Sequence, residues 1–377
     1  MNGNMRYLKN FSIILIFCIL ILNWSLLPVW GDSVQKNGIK EVKLSKVLEI
    51  KETDDTFYFK YPSKVSADSM GNVYLLDDNR ILKFSNEGKF VKSLVNSGQG
   101  PSEVTNISNF VITKDSIFIH NYYPSKIIIL DKNGVFKNEF RLSSLEYMDL
   151  ISFGNNMFYF YTSEIPEKNT GAGGDEMDVP SIISSVSIDG KIKTKVYEFP
   201  IKKFVVRGGK AAGSIDLASF LYAPYDERYL FISNLRDYNI KLLDLKNKKV
   251  IREISIPYEK QEIPEELSKR FNNARIGING KLYRKPVQKY FGDIRNLLVY
   301  KNNLWVITST IDAKKGVRVD VFDFYGKKID SFFLLLEGHL DLYSLRWDIT
   351  GDYIYSIETP EDGDPSIIKC KIDFTKK

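Results

Sequence analysis

The residue types that most often do chemistry are scarce in this chain of 377 residues. It contains only two histidines, His120 and His339. A zinc site built from three histidines is therefore excluded, and a serine hydrolase would need one of these two as its base. No Gly-x-Ser-x-Gly, His-Glu-x-x-His or phosphate-binding glycine-rich motif occurs. We expect both histidines to be structural or surface residues.

Residues suited to recognition are more plentiful, and several of them directly follow short apolar stretches. Tyr and Arg combine a large contact area with directed hydrogen bonds, which makes them good binding residues. We predict that a protein or small ligand is bound by polar and aromatic residues at these positions. The candidates are Asp78, Asn79 and Arg80; His120, Tyr122 and Tyr123; Arg236, Asp237 and Tyr238; Asp312; and Glu361 and Asp362.

The elements that must position these candidates belong to a repeat that occurs six times. In each copy an apolar burst follows a polar turn and precedes a second alternating strand. The bursts are Val73–Leu76, Ile117–His120, Met157–Phe160, Tyr229–Ile232, Leu304–Ile307 and Tyr353–Ser356. Repeats of about 40 to 50 residues that contain only strands are typical of β-propeller blades.

The first repeat reads as four strands joined by turns. The strands are expected at 62–67, 73–76, 81–84 and 90–94, and the turns between them are rich in Asp, Asn, Ser and Gly. These residues favour tight turns because Gly and Asn tolerate a left-handed backbone and Asp bonds the amides that follow it. The sequence therefore predicts a four-stranded antiparallel blade.

The two ends of the repeat array complement each other. Residues 43–50 have no blade of their own, and the sixth repeat ends at Phe374 after only three strands. We predict that the N-terminal strand becomes the outer strand of the last blade, which closes the ring and removes an open edge. The predicted fold is all-β, a six-bladed propeller over residues 40–377 with one short helical insertion, preceded by a linker at 32–39.

The long segments between strands are expected on one face of the propeller. They cover residues 164–181, 202–218, 258–291 and 359–365, whereas the turns on the opposite face are short. Insertions gathered on one face usually mark the working surface, and random loop growth is the alternative. Residues 264–271 are predicted to be helical, since Pro264 and two acids begin the segment and bases end it.

A basic stretch follows the predicted helix. Its basic residues are Arg275, Lys281, Arg284, Lys285 and Lys289. Such a run is either a solvated face or a contact with an anionic partner or lipid headgroups. Vesicle binding that weakens steeply with added salt would support the lipid interpretation.

Two motifs resemble a known group of propellers. The run from Asn72 to Gly88, with Tyr74, Asp77 and Arg80, resembles the NHL-type six-bladed propeller repeat. Residues 98–103 resemble the Gly-x-Gly-Pro-Gly-Glu link of exported bacterial six-bladed propellers of uncharacterised role, with Ser102 at the last glycine. The resemblance implies a fold and export, and it implies no activity.

Some propellers of similar outline are enzymes, which gives the alternative function. Lactonase-like propellers hold a divalent cation with Glu, Asn and Asp, and Asn109, Asp149 and Asp293 lie near expected inner strands. No cofactor is predicted, and a divalent cation is kept as the alternative. Three or more inward carboxylates or amides that converge on the axis would favour the enzyme, and apolar or mismatched groups would favour binding.

The N-terminus has the parts of an export signal. Arg6 and Lys9 precede an apolar stretch at 11–22, and Val29-Trp30-Gly31 offers a cleavage site. We expect cleavage after Gly31, and the alternative is a membrane tether retained through residues 11–30. In both cases the chain is exported to the periplasm, the cell surface or the medium.

Cleavage of the signal would remove Cys18, so Cys370 would have no disulfide partner. We expect Cys370 to be buried and inert.

Composition argues against nucleic-acid binding. The formal charge of +6 is spread over interspersed acids and bases, whereas a nucleic-acid binder concentrates its basic residues. The apolar fraction of 44% is sufficient for a large core, and we expect a monomer.

The predicted function is an exported binding or scaffold module that recognises a protein or small ligand on its elaborated face. A divalent-metal-dependent enzyme, lactonase- or lyase-like, is the alternative.

Overall fold

A computed structural model describes most of residues 40–374. The described residues are 40–53, 57–142, 148–165, 174–191, 193–208, 211–217, 220–273, 275–336, 347–359 and 363–374. They all belong to one compact unit, Lys40–Lys377. The predicted signal sequence, His339, Glu361 and Asp362 lie outside the described residues. No helix of the described part is long and apolar enough to cross a membrane.

The first strand and the first two blades occupy residues 40–141. Strand β1 spans Lys40–Ile50 and is separated in sequence from the sheet it joins. Both blades are antiparallel four-stranded sheets. Blade 1 contains β2 (Pro62–Ala67), β3 (Val73–Asp77), β4 (Arg80–Phe84) and β5 (Phe90–Ser93). After the short strands β6 (Asn96–Ser97) and β7 (Glu103–Val104), blade 2 contains β8 (Ile107–Ile112), β9 (Ser116–Asn121), β10 (Lys126–Asp131) and β11 (Phe136–Arg141).

Blade 3 is larger than its neighbours, because it has a fifth strand and two long ones. It contains β12 (Met148–Gly154), β13 (Met157–Ser163), β14 (Asp175–Ser187), β15 (Lys193–Gly208) and β16 (Ala211–Asp216). Blade 4 has the ordinary four strands, β17 (Phe220–Pro224), β18 (Tyr229–Asn234), β19 (Asn239–Asp244) and β20 (Lys249–Ser255). The long segments predicted as loops at 164–181 and 202–218 are therefore partly strand.

A helix and a hairpin separate blade 4 from blade 5. Helix α1 spans Glu265–Asn272 with Pro264 at its N-cap and acids in its first turn, as the sequence predicts. The hairpin pairs β21 (Arg275–Ile278) with β22 (Lys281–Arg284). Blade 5 contains β23 (Ile294–Tyr300), β24 (Asn303–Asp312), β25 (Gly316–Phe322) and β26 (Lys328–Leu336). Blade 6 contains β27 (Trp347–Thr350), β28 (Tyr353–Glu358), β29 (Ser366–Phe374) and β1.

Six hydrophobic clusters hold the blades together, and each lies between two consecutive blades. Tyr74 of blade 1 packs with Phe110 of blade 2, and Phe231 of blade 4 packs with Leu297 of blade 5. The remaining clusters join blades 2 and 3, 3 and 4, 5 and 6, and 6 and 1. Because the cluster between blades 6 and 1 closes the series, the sheets form a ring. The predicted six-bladed β-propeller is confirmed.

The ring is closed by β1, which pairs with strands on both of its sides. It is antiparallel to β29, where Leu44 lies opposite Ile372, and it completes blade 6 as predicted. It is also parallel to β26, where Leu44 lies opposite Leu336. This second pairing was not predicted, and it joins blades 5 and 6 into one eight-stranded sheet. A strand paired on both sides leaves no exposed edge at the closure.

The connection from blade 1 to blade 2 shows why its glycine motif is needed. A Cβ on Gly98 would lie 2.0 Å from the Glu103 carboxylate, which accepts a hydrogen bond from the Gly100 amide at 2.8 Å. Ser102, which replaces the last glycine of the motif, has a φ of 60° in the left-handed region that favours glycine. Its amide donates to Glu139 at 3.0 Å, and this bond helps to hold the unusual backbone.

The closure by β1 predicts which residues of this strand matter for stability. Leu44 is 0% exposed between two blades, so Leu44→Ala should lower the free energy of unfolding by about 2–5 kcal/mol through the cavity that it leaves. Val47 lies at the bulge of the same strand and is 51% exposed. Val47→Ala should therefore change the free energy of unfolding by about 0.5 kcal/mol or less. Urea unfolding measures both variants. Equal losses of unfolding free energy in the two variants would show that β1 is not a core strand.

Candidate functional site

The structure places the turns that follow each second strand, and the blade-to-blade connections, at one rim of the ring. This is a consequence of alternating strand direction within each antiparallel blade. We call this rim the upper face. It carries the turns with Asp78, Tyr123, Asp237 and Asp312, together with the long connection between blades 4 and 5. The predicted candidates in the described part of the chain therefore belong to one face.

One addition to the upper face is a flap built from the ends of β14 and β15 and from β16. The pairing of β14 with β15 continues from the blade to Asp175 opposite Val205, and β16 adds a third strand up to Gly208. The β21–β22 hairpin packs on this flap through a seventh hydrophobic cluster. The buried members of that cluster are Phe204, Val206, Leu217 and Ile278. The additions from two blades thus share a small core of their own.

A polar groove lies between the flap and the β18–β19 turn of blade 4. Its cavity volume is about 270 Å³, and its lining residues are Asp178, Pro200, Lys202, Asn234, Arg236 and Asp237. The Asn234 carboxamide oxygen accepts hydrogen bonds from the amides of Arg236 and Asp237, both at 3.0 Å. These bonds fix the turn, and both side chains project to solvent. Two of the predicted candidates are therefore brought together in one groove.

The charges of the groove are only partly balanced. Lys202 lies 3.6 Å from Asp178, and Lys260 lies 3.3 Å from Asp237. Lys260 also pairs at 2.9 Å with the buried Asp293, whose pKa is nevertheless raised by its burial. The guanidinium of Arg236 has no ion pair or hydrogen bond to any described residue. It is the cation of the groove that remains available to a ligand.

Other predicted candidates on the upper face serve mainly in turns. Asp78 is exposed with a left-handed backbone, and the Asn79 side chain accepts from the Ile107 amide at 3.2 Å. Arg80 forms an ion pair with the buried Asp77 and donates to the carbonyl of Tyr58 at 2.9 Å.

In the remaining turns of this face, one candidate stabilises its own turn and another is exposed. Asp312 accepts hydrogen bonds from the amides of Lys314 and Lys315 in its own turn, and these bonds lower the pKa of its carboxyl. Tyr122 is half-buried, whereas Tyr123 is 62% exposed and accessible to a partner.

Two predicted candidates are buried. The His120 side chain contacts Phe160, and its Nδ1 lies 2.6 Å from the Ser108 hydroxyl. Burial lowers the pKa of His120 to about 4, so its ring is neutral at pH 7. Tyr238 lies in the core between blades 4 and 5 and donates its hydroxyl proton to Asp320 at 3.0 Å. Both side chains act in packing, and neither offers a surface to a ligand.

The axis of the ring is lined by polar side chains, most of which sequence reasoning did not single out. The inner strands contribute Lys64, Asn109, Asp149, Tyr222, Asn296 and Asp348. The Asn109 amide donates to the Tyr222 hydroxyl at 3.3 Å, which joins blades 2 and 4 across the axis. Asp293 does not belong to this group, since it pairs with Lys260. A polar residue recurring in otherwise apolar inner strands is the signal that could have identified the channel.

Comparison with known proteins agrees with this geometry. Residues 32–228, about half of the chain, match the family described as DUF5128, a 6-bladed beta-propeller. The chain belongs to this family. No curated protein matches the chain in sequence.

Solved structures resemble this DUF5128 propeller in fold. A member of the DUF4221 family from Bacteroides vulgatus is 13% identical with a TM-score of 0.55, and the match covers 90% of this chain and 99% of that one. A predicted exported protein of Bacteroides fragilis is 12% identical with a TM-score of 0.46, over 90% and 97%. Streptogramin B lyase is 13% identical with a TM-score of 0.38, over 88% and 97%. The similarity to the DUF4221 family member supports the propeller fold and nothing beyond it.

The channel of this DUF5128 propeller is a poor match for a divalent cation. Two carboxylates and two amides converge there, which is the number expected to favour the enzyme, but the oxygens of Asn109 and Asp348 are already engaged. The Asn109 oxygen accepts from Lys64 at 2.8 Å, and one Asp348 oxygen accepts from the Ser66 hydroxyl at 2.6 Å. A lysine amine at the centre of the site supplies the positive charge that a metal would bring. Among the described residues, no three His, Cys, Asp or Glu side chains could hold a metal together.

The burial of His120 predicts a pH dependence of stability. Its pKa is about 4 in the folded chain and about 6.5 in the unfolded chain, so the unfolded chain binds the proton more tightly. The stabilisation is complete above pH 6.5 and is lost as the pH falls towards 4, by about 3 kcal/mol in total. His120→Leu should remove this part of the pH dependence of the unfolding midpoint in urea. An unchanged profile in the variant would contradict the assignment.

Proposed function

We propose that this chain is an exported binding or scaffold module, an NHL-like propeller that recognises its ligand or protein partner in the groove of the upper face. The observation that carries the proposal is the guanidinium of Arg236, which has no partner among the described residues and lies in a groove of about 270 Å³. A rigid ring supports this groove from below, and the flap with its own hydrophobic core forms one wall. Binding sites are commonly placed on loops that a rigid scaffold positions.

The groove is suited to a small anionic group. Lys202 and Lys260 already have acidic neighbours, so a carboxylate or phosphate of the ligand would pair with Arg236, whose planar guanidinium can bind such groups with two parallel hydrogen bonds. A volume of about 270 Å³ lies at the small end of ligand pockets, and it can hold a small molecule or a few side chains of a protein. The exposed Tyr123 extends the same face towards blade 2.

The basic stretch after helix α1 adds a second feature to the upper face. The β21–β22 hairpin and the residues that follow it expose Leu282 and Val287 beside Lys281, Arg284 and Lys289. Exposed apolar side chains among bases are typical of surfaces that bind a partner or the headgroup region of a membrane. Export itself is supported by the sequence of residues 1–31.

Charge reversal tests the proposed groove. Arg236→Glu should reduce capture of the partner from the native envelope by at least about tenfold, since it replaces an attraction by a repulsion at the centre of the site. Arg252→Glu makes the same change on the exposed outer strand of blade 4, and it should leave capture unchanged. The measurement is quantitative mass spectrometry of affinity-purified samples. Equal capture by both variants would contradict a binding site at the groove.

A further inference from the structure

Two carboxylates of the axial channel act on the same ammonium group. The described inner strands carry two basic residues, Lys64 and Arg295, and the carboxylates that act on the Lys64 ammonium are those of Asp348 and Asp149. Lys64 donates to the Asn109 side chain and to the carbonyl of Phe110, both at 2.8 Å. Burial lowers its pKa to about 8. Among the described residues, this one ammonium is thus shared by two carboxylates.

Asp348 is the carboxylate that the protein satisfies. Its Oδ2 accepts hydrogen bonds from the Ser66 hydroxyl at 2.6 Å and from the Ala67 amide at 3.2 Å. Its Oδ1 accepts from the Ile349 amide at 2.9 Å. Its position is therefore fixed between blades 1 and 6, and it has little capacity for a further ligand.

Asp149 is the carboxylate that remains free. It opens into the channel, so its side chain is accessible to solvent although protein surrounds it, and this environment raises its pKa. It makes no hydrogen bond or ion pair with any described residue. Asp216 of the flap adds to the negative potential, although Asp216 itself pairs with Lys203 at 2.7 Å.

Aromatic rings line the same side of the channel. Asp149 lies directly opposite Tyr161 in the β12–β13 pairing, so both side chains project from the same face of blade 3. The Tyr161 ring stacks on Phe220 of blade 4 at a centroid distance of 4.3 Å, and Phe220 stacks on Tyr222 at 5.6 Å. All three rings are half-buried. The free carboxylate is therefore next to a partly accessible aromatic wall.

We propose that the channel is a second binding site, specific for an organic cation with an apolar body. The ammonium or guanidinium group pairs with the Asp149 carboxylate, which has no partner among the described residues. The apolar body packs against Tyr161, Phe220 and Tyr222, where rings also favour a nearby cation. A single free carboxylate is sufficient for an ammonium ion, whereas Ca²⁺ requires about six to eight oxygen ligands. This site is separate from the groove at Arg236 and does not depend on it.

The test compares two probes that differ only in charge. n-Butylammonium and 1-butanol share the same apolar body, and each is titrated into the full-length protein by isothermal calorimetry. We expect n-butylammonium to bind at least about tenfold more tightly, since its charge-assisted hydrogen bond is lost in the alcohol. Comparable affinities, or no binding of either probe, would overturn the proposal without any use of a variant.

Two amide substitutions locate the site. Asp149→Asn should weaken n-butylammonium binding at least about tenfold, whereas Asp237→Asn in the groove should leave it unchanged. Thermal unfolding of each variant shows that it is folded. Affinity that survives Asp149→Asn, or that is lost with Asp237→Asn, would contradict the assignment. Ca²⁺ is also tested as a competitor of n-butylammonium. If Ca²⁺ displaces n-butylammonium and Ca²⁺ binding is lost in Asp149→Asn, the channel is a metal site and the proposal is overturned.

Discussion

The pairing of β1 on both of its sides is the interaction on which the structure depends. A ring of blades has to close at some point, and a closure between two ordinary blades would rest on side-chain packing alone. Here β1 contributes backbone hydrogen bonds to β29 and to β26, and it buries Val42 and Leu44 in the cluster between blades 5 and 6. The two ends of the chain are thus joined within one sheet. A break at this point would expose two sheet edges and the faces of two blades.

The rigidity of the ring explains how a polar groove and a charged channel can exist in the same domain. Buried polar groups are costly unless their partners are held in position. The clusters between blades fix the inner strands, and these strands hold Lys64 at hydrogen-bonding distance from Asn109 and Asp348 at hydrogen-bonding distance from Ser66. On the upper face, the flap is anchored by the long β14–β15 pairing and by its own hydrophobic core. Among the described residues, Asp149 in the channel and Arg236 in the groove have no ion pair or side-chain hydrogen bond, so this framework leaves both available to a ligand.

The fold could be predicted because its signal is repeated and local. Apolar bursts such as Val73–Leu76 and Tyr229–Ile232 alternate with Asp- and Gly-rich turns, and the missing outer strand of blade 6 indicated the role of β1. The extension of blade 3 was not predicted, since Asp175 to Asp178 and Lys202 to Arg207 are rich in charge and resemble loops. Their strand structure depends on pairing with each other and on the small core around Phe204, which are non-local contacts. The parallel pairing of β1 with β26 is non-local in the same way.

The candidate site could be predicted only in part. The position of a residue at a turn of the upper face follows from the repeat, and Arg236 and Asp237, which were named on this ground, line the groove. Whether a turn residue is free or engaged depends on neighbours distant in sequence. Arg80 pairs with Asp77, and Tyr238 reaches Asp320 in the next blade. Of the residues that line the channel, Asn109 and Asp149 were named from the sequence, whereas Lys64 and Asp348 were not, because they are separated by most of the chain and only ring closure brings them together.

Hydrogen exchange of backbone amides under native conditions tests the closure most directly. Amide protection reports the free energy needed to open each part of the structure. If β1 closes the ring, the amides of Val42 and Leu44 should be protected as strongly as those of their partners Ile372 and Leu334. Exchange of the β1 amides at least about a hundredfold faster, with the other blades still protected, would show that the ring is stable without β1 and would contradict this account.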